Sequence, residues 1–198
     1  MKSVFGALAF GAVLLSVRPA RGEEPAPVQA TPGPDGEPLG LFVGLGSLGS
    51  PGAFGAAVLA GSRWQPCSHF AASLDLGYGL MSTSPGVQDR WWVIPAAAFV
   101  IPAGRLRLDL GAGVGVGTSS GYGSWSGYVA GPFSPVWHYT VPVFRVHVMA
   151  ATDLTPNLYG FVRADVASLL LTGSSGPYGG GMDTTWVALW VGIDFRLL

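Results

Sequence analysis

Three kinds of residue in this chain have types or spacings suited to chemistry. The first is a histidine near a hydroxyl. In His138-Tyr139-Thr140 an extended backbone would put imidazole and hydroxyl on one face, the minimum for nucleophilic acyl transfer. Ser119 is central in a G-x-S-x-G match, Gly117 to Gly121, but that elbow needs a following helix and a Gly/Ser-rich stretch follows instead. The second kind is a glycine cluster, "GLGSLG" at Gly44 to Gly49. A dinucleotide site requires a helix next and an acid about 20 residues on; here Ser50-Pro51-Gly52 follows and the first acid is Asp75. With 31 glycines in the chain, chance accounts for both matches. The third kind is a scatter of single arginines and aspartates. His69, His138 and His147 have no metal-ligand spacing, and no P-loop is possible without lysine beyond Lys2. No metal, no cofactor and no catalytic site are expected.

The scattered charges become legible through the elements that carry them. "RLRLDLGAGVGVGT", Arg105 to Thr118, alternates strictly. Leu106, Leu108, Leu110, Ala112, Val114 and Val116 share one strand face. Arg105, Arg107, Asp109 and glycines 111, 113, 115 and 117 share the other. Fourteen residues is long against the usual soluble strand of about five or six. Either a soluble sheet buries the leucines, or a membrane barrel turns them to lipid.

Composition decides between these. Only 11% of the 198 residues are charged and 12% are aromatic, against about 25% charged in a typical soluble domain; mean hydropathy is +0.44. A soluble barrel would lack the charge to cover its outside. No stretch after the N-terminus resembles a membrane helix of about 20 apolar residues: "WWVIPAAAFVIPAG" is interrupted by Pro95 and Pro102. Lipid accepts only helices and closed barrels, so a barrel is expected. The first 22 residues read as a secretory signal, with Lys2, an apolar centre and a small-x-small end at Ala20-Arg21-Gly22. Residues 23–38, acidic and proline-rich, read as a flexible leader. Residues 39–198 read as the barrel. A single cysteine, Cys67, forms no internal disulfide and reads as a turn residue. Of ten basic residues, Lys2, Arg18 and Arg21 fall in the signal, which leaves seven arginines against eleven acids. That balance excludes nucleic acid as a partner.

Strand-like runs are expected at 39–48, 53–64, 68–81, 90–101, 105–118, 138–151, 157–171 and 184–197, an even count with short and long connections alternating. Parity turns Asp75, Arg145, His147, Arg163, Asp165, Asp194 and Arg196 inward with Arg105, Arg107 and Asp109, and these charges, together with Arg63, fall toward one end of the barrel. The expectation is an interior charge network of nearly balanced arginines and aspartates, since an unpaired ion in a confined bore is costly. The glycine stripe is expected to vacate volume for Trp186, Trp190, Tyr159 and Phe161. Trp91, Trp92, Trp137 and Trp186 read as a girdle at one membrane interface and Trp64 at the other.

This pattern, closing on "TTWVALWVGIDFRLL", resembles the small eight-stranded outer-membrane barrels of the OmpA/OmpX type over about Leu39 to Leu198. The resemblance implies an all-β, eight-stranded antiparallel up-and-down transmembrane barrel with a filled interior, in the bacterial outer membrane with both termini periplasmic. It implies outer-membrane lipid as surroundings, a monomer, and a structural or surface-interaction role, with an external ligand or protein meeting the chain through loop 119–137. The alternatives are a narrow, porin-like solute channel and an acyl hydrolase acting on lipid A. The second resemblance rests on His138 and Thr140, which are similar to the His-x-Ser pair of outer-membrane lipid A deacylases. Thr140 replaces the serine, no glutamate follows Glu37, and Asp153 belongs a strand length away.

Overall fold

The computed structural model describes residues 37–83, 86–125, 128–129, 137–170 and 185–197. The expected signal, and the leader as far as residue 36, lie outside the described residues. Long alternating runs make long strands: β1 (Glu37–Ser50), β2 (Ala53–Cys67), β3 (Phe70–Thr83), β4 (Gly86–Ala103), β5 (Leu106–Trp125), β6 (Tyr128–Val129), β7 (Trp137–Thr155), β8 (Leu158–Leu169) and β9 (Thr185–Arg196). All but β6 form the wall. β1 pairs with both β2 and β9, and β4 with β5, so the antiparallel sheet closes on itself as an eight-stranded barrel. Closure leaves the wall no free sheet edge.

The strands outrun their sequence expectations at most ends. β1 begins at Glu37 rather than 39, so the leader's last two residues are strand. β4 spans 86–103, not 90–101, and β5 runs to Trp125 through what reads as loop, continuing its ladder with β4 to Gly123. Backbone hydrogen bonding to a neighbouring strand overrides the loop-like Gly/Ser composition there. Cys67 ends β2 and is exposed. Two-residue turns join the strands at 68–69, 104–105 and 156–157. They define the terminal end of the barrel, which also carries Glu37 and Arg196. The opposite, loop end has one tight turn, Pro51-Gly52, where φ is +82° at Gly52. Proline first and a positive-φ glycine second is the type II arrangement.

The wall is turned inside out relative to a soluble barrel. Leu41, Leu45, Val58, Leu76, Leu110, Val114, Val148 and Val191 are among the many large apolar side chains exposed on the outer face. The inner face buries both aromatics and charges. Trp92 and Trp186 correct the girdle expectation. They point inward at 2% and 3% exposure, while Trp91 and Trp64 face outward. Adjacent residues on a strand take opposite faces, so Trp91 and Trp92 cannot share one. Trp92 contacts Trp186 and Trp190 at ring separations of 5.9 and 6.1 Å.

A pairing rule packs the inside. Five inward rings each stand directly across the ladder from a glycine: Trp92 from Gly77, Trp190 from Gly46, Phe42 from Gly61, Phe161 from Gly192, and His147 from Gly111. The ring covers its partner so closely that a Cβ on any of these glycines would lie 2.2–2.5 Å from a ring atom. The β5 stripe therefore does not serve Trp186, Trp190, Tyr159 and Phe161. Gly111 accommodates His147, Gly113 and Gly115 admit β4 around Ile94, and Gly117 faces Val143.

Two tests follow from the wall and its filling. Val146→Arg, on the outer face near mid-strand, should lower stability in lipid by about 2–4 kcal/mol. Gly77→Ala should cost about 1–3 kcal/mol through overpacking against Trp92. Gly49→Ala, whose Cβ would meet only Phe54 at 3.9 Å, should change little. Urea unfolding of the refolded barrel reads all three.

Candidate functional site

The inward charges gather in the bore as two clusters of two arginines and two aspartates each. The first joins β3, β7 and β8. The Asp75 Oδ2 atom accepts from Arg145 Nη2 at 2.5 Å and from Arg163 Nη2 at 2.7 Å. Arg163 Nε donates to Asp165 Oδ1 at 2.7 Å, Arg145 Nη1 lies 4.0 Å from Asp165 Oδ2, and Trp190 Nε1 donates to that same oxygen at 3.0 Å. All four charged side chains are at most 3% exposed. The planar guanidinium of Arg163 bridges two carboxylates at once, which a lysine could not do with the same directionality.

The second cluster lies nearer the terminal end and joins β2, β5 and β9. Arg63 Nη2 is 3.0 Å from Asp109 Oδ2, and its Nη1 is 3.9 Å from Asp194 Oδ2. Arg107 contacts the same two acids, Nε to Asp109 Oδ1 at 3.4 Å and Nη2 to Asp194 Oδ2 at 3.2 Å. The Tyr159 ring lies between two guanidinium groups, 5.1 Å from that of Arg107 and 3.8 Å from that of Arg196. A ring face attracts cations in this way, so the Tyr159 ring ties Arg196 to the cluster. His147 lies between the clusters, 6% exposed.

Arg105 departs from the sequence expectation. It occupies the Gly104-Arg105 turn and is exposed, one residue before β5 begins. Parity applies only within the ladder, and the turn, with φ +66° at Gly104, releases the side chain from it. Two further arginines point inward: Arg63, which the sequence places at the same end as the other charges, and Arg90, which lies outside the sequence expectation. Arg63 is a full member of the second cluster. Arg90, 1% exposed, lies with its guanidinium 4.9 Å from the Trp186 ring toward the loop end. Both share strand parity with inward neighbours, Arg63 with Leu59 and Arg90 with Trp92, which is the signal that finds them. Near Arg90, Gln88 Nε2 donates to Ser119 Oγ at 2.7 Å. Ser119 is thus a buried hydrogen-bonding residue on a strand, with no elbow around it.

Thr140 and Asp153 lie a strand length apart, as their places in the chain lead one to expect. Thr140 is exposed on the outer face opposite Thr118, and Asp153 is at the terminal end. The register instead sets Asp89, Ser120 and His138 in one row across β4, β5 and β7 at the loop end. Ser120 is 4% exposed. Among the described residues no three His, Cys, Asp or Glu side chains form a metal-holding group.

No protein-family model and no curated protein matches the chain. Solved structures do. Neisserial surface protein A aligns with a TM-score of 0.56 and 13% identity, over 80% of this chain and 96% of its own. The fold is that of the small outer-membrane barrels. Ail, the attachment invasion locus protein of Yersinia pestis, solved with the heparin analogue sucrose octasulfate, aligns at 0.53 and 10% identity over 82% of this chain and 99% of its own. A de novo designed transmembrane β-barrel aligns at 0.50 and 11% identity, over 82% and 99%. A designed barrel matching almost as well means that the likeness concerns architecture and carries no function with it.

Removing one partner from the first cluster tests its worth. Asp75→Ala leaves Arg145 and Arg163 facing each other in the bore and should cost about 3–5 kcal/mol. Asp153→Ala, at an exposed position, should stay within about 0.5 kcal/mol of wild type. Equilibrium unfolding in detergent compares them.

Proposed function

We propose that the protein is a bacterial outer-membrane barrel with a structural or surface-interaction role, monomeric and non-enzymatic, its terminal end in the periplasm and its loops outside. One observation carries this reading: a closed wall with large apolar side chains outside, and a bore filled by charge clusters and tryptophans. Such a wall suits lipid, and such a bore leaves solutes no path. The working surface is then the loop end, with segment 119–137 foremost. Its serines, glycines, tyrosines and tryptophans suit adaptable contacts. Neither 119–137 nor 171–184 contains a lysine or arginine, so a polyanion like the one solved with Ail finds no complementary charge there. A neutral glycan or a protein surface fits better.

Acyl hydrolysis is a second reading, supported by the Asp89, Ser120 and His138 row. Against it stand the register, which seats residue 120 between 89 and 138 where a triad needs the histidine in the middle, and the burial of Ser120.

Cell fractionation should recover the protein in the outer membrane, with a heat-modifiable band on gels. Purified barrel in planar bilayers should give no steady ion conductance. Ser120→Ala and His138→Ala should leave outer-membrane lipid A unchanged by mass spectrometry. A conducting wild type would favour the channel, and a lipid product that disappears in both variants would favour the enzyme.

A further inference from the structure

Between the two charge clusters is a cavity of about 20 Å³, lined by Arg63, Ser73, Asp109, His147, Arg163 and Asp194 among others, with Phe42, Phe161 and Met149 closing its apolar sides. Two of the lining residues carry a buried atom that makes no hydrogen bond among the described residues, His147 at Nδ1 and Asp109 at Oδ1, the latter having only its long 3.4 Å ion pair with Arg107 Nε. Asp194 Oδ1 likewise makes no hydrogen bond among them, but it faces Gly40 on β1, where an added Cβ would lie 2.9 Å away. A buried polar atom left unsatisfied is costly, and native structures rarely tolerate several in one place.

Size and chemistry together select the occupant. A water molecule needs about 10–15 Å³ of such space and two to four polar partners, so this cavity has room for one water. A bare metal ion would find one spare carboxylate oxygen among surrounding guanidinium groups. A small anion would face both Asp109 and Asp194. Water suits both atoms. It donates to the Asp109 carboxylate, and toward an imidazole nitrogen it can donate or accept, so either histidine tautomer is served.

We infer that this cavity is a hydration site, in which one ordered water bound to Asp109 and His147 ties the histidine to the second charge cluster. His147 would then be a positioning residue for that water, held flat against Gly111, which has room for it because it lacks a Cβ.

A crystal structure of the wild-type protein at a resolution that places solvent tests this without any substitution. The expected result is one well-ordered water within hydrogen-bond distance of Asp109 Oδ1 and His147 Nδ1. An empty cavity, or a water touching neither atom, would overturn the inference. His147→Phe offers a second reading, because it keeps a ring over Gly111 and removes the nitrogens. The water should lose occupancy, and the unfolding equilibrium constant should rise about tenfold with Asp109 Oδ1 left to its long contact with Arg107 alone. An unchanged water and an unchanged constant would show that His147 does not hold it.

Discussion

The bore of an eight-stranded barrel is about as wide as the side chains that fill it, and this governs every inward ion. An arginine or aspartate pointing into such a space has no bulk water to turn to, and an isolated buried charge is far more costly than any single contact is favourable. Here four arginines and four aspartates meet in two neutral groups. The contacts that cross the bore link residues 70, 87 and 88 positions apart. They exist only when the wall is closed and every strand is in register. A slip of one residue would turn Asp75 to the lipid face. The clusters are therefore a lock on register as much as a source of stability.

The same width explains the glycines. A bore one side chain across cannot hold five large rings unless their immediate neighbours withdraw. The ring-on-glycine pairs achieve this locally, across one ladder step at a time, and the covered glycine backbone gains a packed face in exchange. Trp92 and Trp190 then come close enough to form a dry aromatic layer with Trp186, and the Trp190 indole nitrogen reaches down to Asp165. Packing and charge pairing thus share a residue.

Much of this architecture is legible in the sequence because period-two alternation is a local property. The faces of β3, β7 and β8 can be read residue by residue, and so can the inward direction of Asp75, Arg145, Arg163 and Asp165. Partner identity is not local. Nothing in "RLRLDL" says that Arg107 meets Asp194 on β9, or that Arg63 completes the same group, because that depends on closure and tilt. Parity also fails where the ladder ends, as at Arg105, and a list of tryptophans misleads when neighbours such as Trp91 and Trp92 must divide between lipid and bore. The strand ends at Glu37 and Trp125 run past composition signals because a neighbour's backbone hydrogen bonds extend them.

The order of layers inside the barrel has its own consequence. Along β9 the inward side chains run Trp186, Trp190, Asp194 from the loop end, and along β4 they run Gln88, Arg90, Trp92, Ile94. A polar zone near the loops, with Gln88 bonded to Ser119 and Arg90 against Trp186, is thus separated from the two charge clusters by tryptophan and aliphatic side chains. Electrostatic attraction strengthens where water is excluded, so the aromatic layer raises the worth of the arginine and aspartate contacts beneath it. It also decouples them from the loop end. Substitutions at Gln88, Arg90 or Ser119 would thus change the polar zone without reaching the pairs that hold the wall in register, because Trp92, Trp186 and Ile94 stand between them.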